Sequence, residues 1–356
     1  MSEVLSDFDY ELPPELIAQH PVSPRDSSRL LVLNRKERKL EHRKFSDLVE
    51  YLDDRDLLVA NNTRVIQARL EGRRLRQEAG KWIPGGRVEF VLLEKQGDCV
   101  WEGLFHASAK YVPGLRFEVP TPDGKGLFGE LVRGSADSPS GTVVARFNRD
   151  PLETKAGKIP LPHYIERPSD PTAADESAYQ TIYGKNDGSA AAPTAGLHFT
   201  DQVFERLKQK KIGWEELTLH VGLGTFRPVK TEDLSKHVMH DERYEVSSSA
   251  ADRITRWKKD GNRVLAVGTT SVRTLESAWH RDHLASGFGR TDLFIRPGHF
   301  EFQVVDRLLT NFHLPKSTLL MLVSAFAGRE FVLEAYREAV RNRYRFFSFG
   351  DSMLIL

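Results

Sequence analysis

The chain has 356 residues, 40% of them apolar, and sets 51 Lys and Arg against 50 Asp and Glu for a net charge of +1. That length suits two domains of about 100–200 residues each, and near-neutrality argues against nonspecific, charge-driven nucleic-acid binding. A single cysteine, Cys99, excludes an internal disulfide and any cysteine-rich metal site, and fits a reducing compartment. The opening stretch MSEVLSDFDYELPPELI is acidic, with no basic segment leading into an apolar run, so no secretory signal is expected and the cytoplasm is the expected location. The most apolar run, Leu319 to Ala327, is too short to span a membrane and reads as a buried helix.

In chain order, FSDLVEYL reads as helical, and Leu57 to Ala60 as a strand entering the polar loop Asn61-Asn62-Thr63-Arg64. From there to about Asp150 six short strands are predicted: Val65–Leu70, Arg87–Leu93, Val100–Phe105, Leu115–Val119, Leu127–Val132 and Thr142–Phe147. Turn residues such as Pro84-Gly85-Gly86 and Pro122-Asp123-Gly124 separate them, and no helix intervenes, which predicts a small β-barrel with Cys99 as a buried strand residue. After Pro151 the pattern is mixed. Tyr244–Val246 and Val264–Val267 read as strands, and Ala250–Lys259 as a helix stopped at Gly261; a further helix follows Gly268, a β-α-β-α run typical of α/β architecture. The fold expected is therefore a mixed α/β main domain, residues 1–62 with 151–356, interrupted by an inserted small β-barrel domain at 63–150.

Four loops carry polar or small residues where chemistry would need them. Pro193-Thr194-Ala195-Gly196-Leu197-His198-Phe199-Thr200 is too small-sided to fill a core and ends on a helix N-cap, so a ligand could approach its backbone closely. Before the second, the strand alternates Leu217, Leu219 and Val221 on one face with Thr218 and His220 on the other, then opens into Gly222-Leu223-Gly224-Thr225. Gly268-Thr269-Thr270-Ser271-Val272-Arg273 offers hydroxyls and N–H groups at a helix start, a place for a carboxylate or phosphate. Thr310-Asn311-Phe312-His313-Leu314-Pro315-Lys316-Ser317-Thr318 repeats that design, with a lysine opposing the helix dipole. Each loop could equally be a connector or a capped helix start. His237, His240 and Glu242 have ligand-like spacing, but the stretch is charged and without an evident helix, so no metal is expected. Neither a G-x-S-x-G elbow nor a P-loop is present.

Taken together these segments resemble the S-adenosylmethionine:tRNA ribosyltransferase-isomerases of queuosine biosynthesis. The resemblance spans almost the whole chain: DFDYELP (7–13) with IAQHP (17–21), NNTRVI (61–66), YQT (179–181), AAPTAGLHFT (191–200), LHVGLGTFRPV (219–229), GTTSVRTLE (268–276), TDLFIRPG (291–298), LLTNFHLPKSTLLMLVSAFAG (308–328) and YRFFSFGD (344–351). Departures at His163, Phe349 and Ser352 are minor. It implies transfer of the ribosyl part of S-adenosylmethionine to the aminomethyl group of a 7-deazaguanine at the tRNA wobble position, giving epoxyqueuosine, adenine and methionine. S-adenosylmethionine is then a consumed substrate, with no further cofactor, and tRNA carrying the aminomethyl deazaguanine is the partner of a monomer that meets no membrane. The chemistry calls for a base, for which His198 stands first with His220 and His313 as rivals. Thr269, Thr270, Ser271 and Lys316 would hold the methionine carboxylate or a tRNA phosphate, and Gly222 and Gly224 would admit the nucleoside. Asn61, Asn62, Arg64, Thr194, Gly196, Thr225, Arg273, Asn311 and Ser317 complete the expected substrate site. For tRNA, the candidates are Arg64, Arg69, Arg73, Arg74 and Arg76, the run Arg341, Arg343 and Arg345, and stacking by Tyr344, Phe346, Phe347 or Phe349.

Overall fold

A computed structural model describes residues 4–108, 110–138, 141–168, 170–222, 229, 231–239 and 241–356. Its centre is a nine-stranded sheet in the order Gly287–Thr291, Glu242–Val246, Gly213–Leu219, Asp56–Asn61, Arg263–Val267, Arg307–Asn311, Ser352–Ile355, Arg29–Asn34 and Lys39–Lys44. The four strands from Gly213–Leu219 to Arg307–Asn311 run parallel. Both faces of this parallel block are covered, which is why Leu57 to Ala60 reads as a continuous apolar run rather than an alternation.

Alternate residues go to opposite layers. Leu57, Val59, Val264 and Ala266 pack with helices α3 (Ser248–Lys259), α4 (Thr269–Ala278), α5 (Thr318–Ala327) and α6 (Arg329–Arg341). Leu58, Ala60, Leu265 and Val267 pack on the other face with α2 (Asp201–Gln209) and the 3-10 helix Phe45–Tyr51, the form taken by the helix-like FSDLVEYL stretch. Side-chain hydroxyls cap three of these helices: Thr200 for α2, Ser247 for α3 and Ser317 for α5. The short helix Ala173–Ala178 is α1. Among the described residues no helix is long and apolar enough to cross a membrane.

Six antiparallel strands between Arg69 and Phe147 close on one another into a ring, filled by Phe90, Phe105, Phe117 and Phe147. All six predicted segments overlap these strands. Cys99 differs from expectation: it is half-buried and has φ +55°, at the turn between strands Lys81–Gly97 and Val100–Ala107. The ring and the sheet form a mixed α/β chain.

Candidate active site

The four parallel strands end at Leu219, Asn61, Val267 and Asn311, and of the four loops singled out in the sequence those starting at Pro193, Gly268 and Thr310 meet at one crevice there, while most of the loop that Gly222 opens lies outside the described residues. In open α/β sheets the crevice beyond the carboxyl ends of the strands is where ligands bind. A cavity of about 210 Å³ lies there, and among the described residues Thr194, Thr269, Thr270, Asn311, His313 and Ser317 line it. Thr310, from the fourth of those loops, and Phe347, expected as a stacking residue for tRNA, line it too, as do Tyr164 and Ser348, which were not chosen from the sequence. The Tyr164 and Ser348 hydroxyls lie 2.6 Å apart across 184 residues of chain, a pairing that no local pattern signals.

The loop 193–200 forms a 3-10 turn, Thr194–His198, whose first residues face the cleft. Gly196 does not leave room for a ligand. A Cβ there would collide with the Tyr183 hydroxyl, so its smallness serves packing within the fold.

Helix α4 starts at Gly268, whose φ of +88° favours glycine strongly, and no side chain caps it. Ser271 turns inward to donate to the Val267 carbonyl at 2.8 Å. Arg273 is buried in an ion pair with Glu242 and also donates to the Thr291 carbonyl. Glu242 in turn accepts the Gly222 N–H at 3.1 Å, so its carboxylate ties α4 to the glycine loop instead of standing ready for a metal. Thr270 lines the cleft, and its buried hydroxyl has no partner among the described residues.

The three histidines occupy different positions. His313 lines the cleft, with Nε2 2.9 Å from the Thr310 hydroxyl, and burial pushes its pKa down to about 3. His198 lies behind the cleft, stacked on Phe45. Asn311 Nδ2 donates to the carbonyls of Phe347 and Ser348, so Asn311 Oδ1 faces His198 Nε2 at 3.2 Å, and that nitrogen must carry a proton. His198 Nδ1 is then the acceptor for the Ser28 hydroxyl at 2.8 Å. Burial lowers the His198 pKa to about 4, in keeping with this neutral form. His220 is half-buried, with Nδ1 2.9 Å from the Thr63 hydroxyl, and desolvation lowers its pKa.

Other expected residues are engaged by the protein itself. Asn61 exchanges two hydrogen bonds with the Leu219 backbone, and Asn62 bonds Thr218, Asn186 and Glu216, stapling adjacent strand ends. Lys316 pairs with Asp9 at 2.8 Å, and Ser317 caps α5. Arg64 is half-exposed, 3.4 Å from Asp187. Gly224, Thr225 and His240 lie outside the described residues. Of the arginine candidates for RNA, Arg69 pairs with Glu71 and Glu89, Arg76 with Glu78, and Arg341 with Glu338. Tyr344, Phe346, Phe347 and Phe349 are all buried, which removes them as stacking platforms.

A family model described as "Queuosine biosynthesis protein" matches residues 5–355. The chain belongs to this family. Curated relatives named S-adenosylmethionine:tRNA ribosyltransferase-isomerase include those of Thermotoga maritima, 48% identical, and Thermosipho melanesiensis, 50% identical, each alignment covering 99% of both chains. The Clostridioides difficile relative is 48% identical over 98% of both. A crystal structure of an S-adenosylmethionine tRNA ribosyltransferase from Thermotoga maritima matches with a TM-score of 0.56 and 41% identity, over 99% of this chain and 100% of that one. Members of the queuosine-biosynthesis family at this similarity are transferase-isomerases, and the present chain is an enzyme of that class.

Proposed function

We propose that this enzyme moves the ribosyl part of S-adenosylmethionine onto the aminomethyl group of 7-aminomethyl-7-deazaguanine at the tRNA wobble position and isomerises it, releasing adenine and methionine and leaving epoxyqueuosine. The observation that carries the proposal is that residues scattered from Thr194 to Ser317, each within a segment resembling the family, converge on one cleft at the carboxyl ends of the strands. S-adenosylmethionine is consumed here as a substrate.

A sulfonium acidifies its neighbouring C5′ protons, so a neutral imidazole at the cleft could accept one. His313 is the histidine so placed, while both ring nitrogens of His198 are already committed. The mostly apolar lining, with Phe312, Leu314 and Phe347, would keep water from reactive intermediates.

For the tRNA we assign the ring as an inserted β-barrel domain, residues 63–150, with 1–62 and 151–356 as the catalytic unit. Arg73 and Arg74, on the strand Arg69–Glu78, have no ion-pair partner among the described residues and would meet RNA phosphates. The protein is expected to act as a monomer in the cytoplasm.

The test is mass spectrometry of nucleosides from tRNA incubated with enzyme and S-adenosylmethionine. The aminomethyl deazaguanosine should be replaced by epoxyqueuosine; an unchanged wobble nucleoside, with both substrates bound, would overturn the proposal.

A further inference from the structure

Helix α4 stands apart from its neighbours at the point where it meets the cleft. The first-turn N–H groups of any α-helix have no acceptor within the helix and carry the positive end of its dipole. In α5, which also reaches the cleft, Ser317 accepts the Leu320 N–H at 3.2 Å. In α4 the N-cap is Gly268, which has no side chain to offer. Ser271 Oγ is turned away to the Val267 carbonyl, leaving the hydroxyls of Thr269 and Thr270 at that end, both residues lining the cleft. The Thr270 residue is more than nine-tenths buried and lines the cleft, and its Oγ1 has no hydrogen-bond partner among the described residues. A buried, unsatisfied hydroxyl is costly unless something completes it.

The lining contains no lysine or arginine among the described residues, so the starts of α4 and α5 supply its positive potential, and of the two only α4 lacks a side-chain cap. Gly268 also lets the chain enter at positive φ, and the Ala195 Cβ and the Thr270 hydroxyl lie 3.5 and 3.7 Å from the place a side chain there would take. These features together suit a compact anion, which would accept hydrogen bonds from the first-turn N–H groups and the Thr270 hydroxyl.

We propose that the first turn of α4, with the Thr270 hydroxyl, holds the carboxylate of the amino-acid arm of the sulfonium substrate. This rests on the substrate assignment made above. The arm would enter at α4, which directs the rest of the molecule along the cleft toward Asn311 and His313. A tRNA phosphate is the competing occupant, and the experiment separates the two.

Binding of two stable thioethers is measured by calorimetry: S-adenosylhomocysteine, which keeps the carboxylate, and S-adenosyl-3-thiopropylamine, its decarboxylated counterpart. The wild-type protein should prefer the first by about tenfold or more, the value of a charge-assisted hydrogen bond. Thr270→Val should shrink that preference several-fold through weaker binding of the carboxylate form alone, and Thr270→Ser should retain it. Equal affinity of the wild-type protein for the two thioethers would overturn the proposal, whether or not a variant folds. So would a Thr270→Val effect confined to tRNA affinity, which would give the site to a phosphate. Binding of neither thioether, with tRNA still bound, would instead overturn the substrate assignment and this proposal with it.

Discussion

His198 is held as a neutral imidazole that donates from Nε2 to Asn311 and accepts at Nδ1 from Ser28. Through the first of these bonds it holds Asn311, whose amide also grips the Phe347 and Ser348 carbonyls at the cleft. His198→Gln can keep a donor near the Nε2 position and should retain turnover within about tenfold, with an unchanged pH profile; His198→Ala should lose more. Abolished turnover in a folded His198→Gln protein would make His198 the base after all. Burial also links this residue to acid stability. In the unfolded chain a histidine binds a proton below about pH 6.5, whereas folded His198 does so only near 4 and His313 near 3. Between those values the unfolded state holds more protons, so stability is greatest above about pH 6.5 and falls as the pH drops toward 4. Urea unfolding should show this fall, amounting to a few kcal/mol, and His198→Gln should reduce its slope; an identical slope would contradict the buried neutral form. The sequence made His198 conspicuous. It could not reveal the tautomer, because that depends on Asn311, more than a hundred residues away.

At the scale of elements, Arg273 and Glu242 form a buried pair that joins α4 to the neighbouring antiparallel strands, with Gly222 and Thr291 as further partners. Removing one charge of such a pair leaves the other uncompensated, so Arg273→Ala should lower unfolding stability by about 3–5 kcal/mol. A loss below about 1 kcal/mol in denaturant titration would place the pair among exposed ion pairs. Gly268→Ala should cost about 1–3 kcal/mol because alanine is strained at φ +88°, whatever space surrounds it. Elements built on local signals were legible: the turn-bounded strands of the ring, and the helix starts at Thr200 and Ser317. What was not legible was which polar residues the fold itself consumes. Arg273, Asn61 and Asn62 look in sequence like ligand contacts, yet their partners come from strands paired across long chain separations.

Across the whole molecule, the decisive feature is that the parallel strands deliver their carboxyl-end loops to one crevice. The β-α-β-α pattern announced α/β architecture, but the strand order did not follow from it, since parallel pairing is settled by contacts remote in sequence. Near-neutral charge likewise requires a local grip on RNA. Arg73→Glu combined with Arg74→Glu should weaken tRNA binding and make the dependence of log K on log salt shallower by about 1–2, whereas Arg69→Gln, removing an arginine already paired with glutamates, should do little. Equal effects would remove the ring from the RNA interface. The enzyme's defining step is the coupled transfer proposed above. Adenine, methionine and epoxyqueuosine-containing tRNA should be quantified together after incubation of the enzyme with S-adenosylmethionine and tRNA bearing the aminomethyl deazaguanine. The expected result is equal amounts of all three, and none when that tRNA is replaced by its unmodified counterpart; adenine release independent of the modified tRNA would contradict it.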